Sequence, residues 1–466
     1  MALWNALFGA GQTHHWCEAF PGTRDCTSPA MQNAMQEWFS LYYASEKDDV
    51  RQEDPCQRIA FTIVSKLYRA CFAEYKASVQ HDFFARCQQE LDAERKNAVQ
   101  LAMIGGESWL KPIPCKDRFA FSVLRRDAVA ILGRDAKGCV TDMISSEATQ
   151  MQGGTYTLLE RRTVDSGGYL TIRNKLYFSR DGSALGVPAA LSALPQYAAL
   201  PEEYTFPAPI GSIGLVSLRM PTANTVDGSS DAVSIYAPAS GLIRNINRNE
   251  WQLSREFELG AFRVFASADL LRQKKSGARE LPEGFFVGLD DNPESTGVKE
   301  FAPNLRDESF LRRKNEYLRN AESVLGIKRG LLCDVADVQR TATEVASSAG
   351  DYSLTVQDLW EVWEKADREA MRLCGVLGEM YHIGSAGAFD LEKDLSISWG
   401  NGVLYDPDAD LAQEMEMVAA GLLRPEYLLG KKYGMPTQTE TDLAAIRKRY
   451  MPPMEQILSE APDGEE

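Results

Sequence analysis

The stretch LRDESFLRRKNEYLRNAESVLGI, residues 305–327, constrains this chain more than any other. Its apolar residues Phe310, Leu311, Tyr317, Leu318, Val324 and Leu325 recur at intervals of seven, which predicts a helix with one narrow apolar stripe. The rest is charge: Arg312, Arg313, Lys314 and Arg319 stand against Glu308, Glu316 and Glu322. A second helical run, INRNEWQLSREFELGAF at 246–262, precedes it. Between them lies a stretch rich in Gly, Pro and charge, expected to form a small insertion with two short strands. One helix leads out to it and one leads back. A lone hairpin of this kind buries little, so the pattern predicts packing against copies of itself. Arg312, Arg313, Arg319 and Glu316 are expected to make ion pairs between those copies, since acids and bases alternate along the same helix.

The segment QRTATEVASS, residues 339–348, follows. Thr341 and Glu344 match a T-x-x-E capping box, which predicts a helix beginning at about Ala342. Behind it Val356, Leu359, Trp360, Trp363, Ala366, Ala370, Leu373 and Leu377 fall on one face. The expectation is one long amphipathic helix with a weak point or kink at Gly350. The preceding KRGLLCDVADVQR reads as a loop joining the returning helix to the long one.

Elsewhere the chain alternates between helix and sheet, an α+β pattern. Residues 28–100 read as helices, with Ser28 and Pro29 opening the first. Residues 105–245 read as a mostly antiparallel sheet, with turn signals at Asp165–Gly168 and at 180–182. A strand and an exposed loop are expected near 209–240. A strand from Leu395 to Leu404 precedes two or three helices, the first capped by Asp406. The DPDAD run there is no calcium loop, because Leu411 and Met417 stand where glycine and glutamate belong. The tail SEAPDGEE reads as disordered.

Composition narrows the function. Sixty-six acidic residues oppose fifty basic ones, a net charge of −16. That argues against a whole-surface grip on nucleic acid, but an acidic wall can let a phosphate chain slide past. No run is apolar enough for a transmembrane helix, and the first residues do not read as a signal peptide. Nine scattered cysteines contain no C-x-x-C, so no metal site is expected. Four histidines and the absence of phosphate-loop, G-x-S-x-G and H-E-x-x-H patterns point away from an enzyme, with no catalytic residue and no cofactor expected.

KRGLLCDVADVQRTATEVASSAGDYSLTVQDLWEVWEKA resembles the portal proteins of long-tailed double-stranded DNA phages. In that branch a charged helix ends in a Gly-Ile or Gly-Leu turn, here Gly326-Ile327, and a TATE box, here Thr341–Glu344, opens a long helix. MQEWFSLYYA and LYDPDADLAQEMEMVAAGLLRPEYLLGKKYG are similar to further segments of the family. The resemblance implies the portal fold: a wing at 1–245, stem helices at 246–264 and 305–328, a clip at 265–304 and a tunnel loop at 329–341. A long wing helix and returning strand would span 342–407, and crown helices with an acidic tail 408–466. It also implies a homo-oligomeric ring of about twelve subunits at one capsid vertex. Double-stranded DNA would pass through it without sequence readout. Terminase, the major capsid or scaffold protein and a head–tail adaptor would be partners, in the virion and with no membrane. Asp334, Asp337, Gln339 and Arg340 would face the tunnel, touching the DNA backbone weakly. A capsid or adaptor protein that never surrounds DNA is the rival reading, and an enzyme with an unfamiliar site a third.

Overall fold

A computed structural model describes residues 12–43, 56–180, 185–260, 263–266, 285–287, 299–301, 305–328, 330–333, 342–384, 387, 389–399, 414–433, 437 and 440–450. The chain divides into a large unit through Trp399 and a small one from Gly400. It is a mixed α+β protein with open, mainly antiparallel sheets.

Helices α1 (Gln12–Ala19), α2 (Pro29–Tyr43) and α3 (Ile59–Phe72) come first. The expected helix does not continue past them, because β1 (Lys76–Val79) intervenes and pairs with residues 395–398. Its KASV sequence has little strand preference of its own; the distant partner decides it. Helix α4 (Asp82–Gly105) then packs on β2 (Glu107–Pro114) and β3 (Phe119–Arg125). Gly106 ends the helix with φ of 84°, and a Cβ there would collide with the Ala232 backbone.

The strands β4 (Val129–Arg134), β5 (Val140–Met151), β6 (Gly154–Val164) and β7 (Leu170–Ser179) form an antiparallel meander. The outer edge of β7 is shared by two short strands, β8 (Val187–Ala189) and β9 (Glu203–Thr205). The expected turn at Asp165–Gly168 is present: Asp165 Oδ1 accepts from Gly167 N and Tyr169 N, both at 2.9 Å. The 180–182 signal falls largely on residues outside those described. Strand alternation sends Val129, Ile131 and Met143 toward Trp109 and Leu124, and Ala130, Ile144 and Leu159 toward Trp16 and Phe20. The sheet is thus covered on both faces.

β10 (Val216–Arg219) adds to β2, completing a three-stranded sheet. The stretch after it begins as the expected exposed loop, over 221–230, and then turns inward. Residues 231–236 are buried, with Ser234 Oγ donating to Met103 O at 2.9 Å and Tyr236 Oη to Trp38 O at 2.7 Å.

Helix α5 spans Ser240–Leu259, starting six residues before the expected 246 because a proline-containing turn at Ala237–Ala239 leads into it. Among its described residues the insertion carries three strands, where two were expected: β11 (Arg263–Ala266), β12 (Phe285–Val287) and β13 (Lys299–Phe301). β11 is central, parallel to β12 and antiparallel to β13. The returning helix α6 is Asp307–Val324.

Helix α7 (Ala342–Met380) is the single long helix expected, and it runs through Gly350 without interruption. Val356, Leu359, Trp363, Ala366, Ala370, Leu373 and Leu377 are buried as its periodicity predicts, while Trp360 is only half-buried, its Nε1 donating to Cys71 O at 2.8 Å. A one-turn helix at Leu391–Asp394 leads to β14 (Leu395–Ser398), shorter than the expected strand to Leu404; residues 400–413, including Asp406, lie outside those described. The small unit contains helical residues 414–419, then α8 (Pro425–Tyr433) and α9 (Glu440–Tyr450). Leu443 and Ile446 are its buried apolar residues, Arg424 and Glu440 pair at 2.8 Å, and Tyr433 stacks on Tyr450.

Candidate functional site

The two charged helices are antiparallel neighbours. Arg306 grips Glu256 with two bonds of 2.9 and 2.6 Å, Lys314 pairs with Glu250 at 2.8 Å, and Asn249 Nδ2 donates to Phe310 O at 3.1 Å. Bidentate guanidinium–carboxylate pairs fix geometry as well as charge. The first half of α5 is anchored by Ile243 and Ile246, both fully buried. Beyond Asn249 no described side chain of α5 is buried. In α6 only Leu318, Ala321 and Glu322 are.

The outer part of the hairpin therefore stands in solvent. Phe257 and Leu311 are each 49% exposed there, and Val324, at the inner end of α6, is 52% exposed. Arg312, Arg313, Arg319 and Glu316 are exposed as well. Arg313 Nε donates to the Tyr317 hydroxyl at 3.0 Å. Among the described residues none forms an ion pair with Arg312, Arg319 or Glu316. The near-continuous charge of the sequence is thus partly spent inside the hairpin, on Glu256 and Glu250, and partly presented outward.

One of the charged residues of α6 is not at the surface. Glu322 is fully buried. Its position follows from the helical period, four residues after buried Leu318, and that was the signal available in the sequence. Its carboxylate accepts from the backbone N–H groups of Gly330, Leu332 and Cys333, the shortest at 2.6 Å. The exposed Lys66 ammonium donates to the Leu331 carbonyl of the same loop.

The helix end just above is built from the Gly-Ile turn. Gly326 adopts φ of 60°, Ile327 N bonds to Glu322 O at 3.1 Å and Gly326 N to Ser323 O at 3.3 Å. That is the paired Schellman closure, which needs a left-handed residue where glycine stands. Thr355 Oγ1 of α7 donates to Gly326 O at 3.0 Å, tying the turn to the long helix.

The remaining expected residues were not brought into view. Asp334, Asp337, Gln339, Arg340 and Thr341 lie outside the described residues, and Glu344 belongs to α7 but its side chain lies outside them. The helix does start at Ala342, where the capping box put it.

Inside the large unit α7 carries a polar group that the pattern hid. Asp367 is fully buried and accepts from Tyr75 Oη at 2.7 Å and Gln88 Nε2 at 3.0 Å, both on Oδ2. Oδ1 has no hydrogen-bond partner. Burial pushes its pKa up to about 6, against the two hydrogen bonds, and nearby Asp92 adds to the rise.

Among the described residues no group of three His, Cys, Asp or Glu is placed to hold a metal ion. No described helix is long and apolar enough to cross a membrane. None of the nine cysteines is in a disulfide. No protein-family model matches the chain, and no curated protein matches its sequence.

Proposed function

We propose that the chain is a phage portal protein, a ring-forming conduit for double-stranded DNA at a capsid vertex. The observation that carries this reading is the α5–α6 hairpin. It is held together internally, leaves the packed body after Asn249, ends in a small sheet of its own, and exposes apolar and cationic side chains along its length. A helix pair that shows Phe257, Leu311 and Val324 to water gains by burying them, at roughly 25 cal/mol per Å² of apolar surface covered. Identical copies side by side cover them, and their arginines and glutamates then meet across the seam. Closure around an axis leaves no copy with an unsatisfied face.

In this reading α5 and α6 are the stem, β11–β13 belong to the clip, 329–341 is the tunnel loop, and α7 crosses the wing. The small unit with α8 and α9 is the crown. The net charge of −16 favours passage of DNA over capture. The ring docks terminase during packaging and a head–tail adaptor afterwards, within a shell of major capsid protein. It does this without a cofactor and without catalysis of its own.

Electron microscopy of the purified protein tests the reading. Rings with a central hole wide enough for a duplex are expected. A particle that stays monomeric at every concentration and salt rejects it.

A further inference from the structure

Helices α4 and α7 pack against each other inside the large unit. Gln88 of α4 bonds to Asp367 of α7, and Phe83 of α4 touches Gly378 of α7. Numbering therefore rises along one helix as it falls along the other, and the pair is antiparallel. A Cβ on Gly378 would lie 2.9 Å from the Phe83 ring, so glycine there lets the two helices approach closely. One turn after Phe83 stands Cys87, and one turn before Gly378 stands Cys374. The register brings these two cysteines together. Both are fully buried. The Cys374 thiol donates to the Cys87 sulfur, which also accepts from Phe119 N of β3 at 3.4 Å.

Buried thiols are ordinarily inert, because burial disfavours the thiolate that reacts. This pair is asymmetric. The bond from Cys374 lowers the Cys87 pKa against the effect of burial, helped by the Phe119 N–H and by Arg86 and Arg118. Burial, and then the bond to Cys87, push Cys374 well above its ordinary value. One sulfur is prepared to attack, and its neighbour keeps a proton to give.

We propose that Cys87 and Cys374 form a buried dithiol site that hydrogen peroxide converts to a disulfide, clamping α4 to α7. The Cys87 thiolate attacks one peroxide oxygen. The O–O bond breaks, a sulfenic acid forms on Cys87, and the departing hydroxide takes the Cys87 proton to become water. The Cys374 sulfur then attacks the Cys87 sulfur. The S–O bond breaks, the S–S bond forms, and the second hydroxide leaves as water with the Cys374 proton. Two thiols are oxidised and one peroxide is reduced to two waters. Peroxide is little larger than water, so small local openings of the core admit it. The site lies within the large unit and does not depend on ring formation.

The test treats the purified full chain with excess hydrogen peroxide, blocks the remaining thiols with iodoacetamide in denaturant, and maps peptides without reduction. A peptide linking Cys87 to Cys374 is expected in excess of every other cysteine pairing. The melting temperature is expected to rise by roughly 5 °C, because a cross-link between helices distant in sequence restricts the unfolded chain, and to return with a phosphine reductant. In Cys374→Ser the sulfenic acid has no thiol to meet, so dimedone is expected to label Cys87 at least about threefold more than in wild type. Linkage scattered over many pairings overturns the proposal, as does oxidation that leaves Cys87 and Cys374 as thiols. A Cys87–Cys374 link with an unchanged melting temperature, or equal dimedone labelling in the variant and wild type, overturns it as well. If Cys374→Ser fails to fold, the linked peptide and the melting shift of the wild-type chain decide.

Discussion

The Tyr75 hydroxyl donates a 2.7 Å hydrogen bond to the Asp367 carboxylate across a sequence separation of 292 residues. It ties the turn before β1 to the middle of the long helix, in a core that also contains Trp363 and the stacked rings of Tyr68 and Phe72. Asp92 and Arg95 flank the pair, and the Arg95 guanidinium lies 4.2 Å from the Tyr75 ring centroid.

The Asp367 pKa, raised to about 6, has a defined sign. The folded protein prefers the neutral acid, so this group's contribution is fully present below its unfolded pKa of about 4 and is lost as pH rises through 6. Asp367→Asn keeps an acceptor for Tyr75 and Gln88 and removes the charge. The variant is expected to be more stable than wild type by roughly 2 kcal/mol at pH 8 and near-equal at pH 4. Urea unfolding at the two pH values measures both.

Glu160 has the opposite sign. Burial favours its neutral form, yet Arg162 and Lys111, bonded at 2.6 and 2.7 Å, bring its pKa down to about 2. Its stabilisation is present above the unfolded pKa and lost as pH falls toward 2. Glu160→Gln leaves two cations without their partner and is expected to cost about 3 kcal/mol at pH 7. The gap should narrow steadily between pH 5 and pH 2 in a thermal melt series.

Gly326→Ala tests the helix end. The residue sits at φ of 60°, and an added Cβ would lie 3.0 Å from the Thr355 hydroxyl oxygen. The expected loss is about 1–2 kcal/mol, read as a lower melting temperature. An unchanged melt would mean that the Schellman closure is dispensable.

Charge reversal at the outer face probes assembly. Arg312→Glu with Arg319→Glu leaves the internal pairs Arg306–Glu256 and Lys314–Glu250 intact. Ring yield by sedimentation velocity is expected to fall at least about tenfold at low salt and to recover in part at high salt, where screening weakens repulsion. Full assembly at low salt would exclude these arginines from the subunit seam.

The elements most legible in the sequence were those whose pattern is local. The α7 stripe from Val356 to Leu377 follows from periodicity alone, and the Asp165 turn from its side chain. Lys76–Val79 was illegible because its strand state is conferred by a partner more than three hundred residues away. Glu322 was grouped by residue type with the other charges of its helix, although its helical position, four residues after Leu318, is that of a core residue. The burial of Asp231–Tyr236 rests on contacts with Met103 and Trp38, which composition does not encode.

The pairing of Val79 with Leu395 also bears on biosynthesis. A ribosome releases the amino-terminal helices long before it translates the strand that β1 requires, and Tyr75 waits almost as long for Asp367. The nascent chain is therefore held open through most of elongation, with Phe72, Tyr75 and the apolar side of α4 uncovered. Such an intermediate invites chaperone capture, and its release is timed by translation of Asp367 and Leu395–Ser398 rather than of the amino-terminal helices.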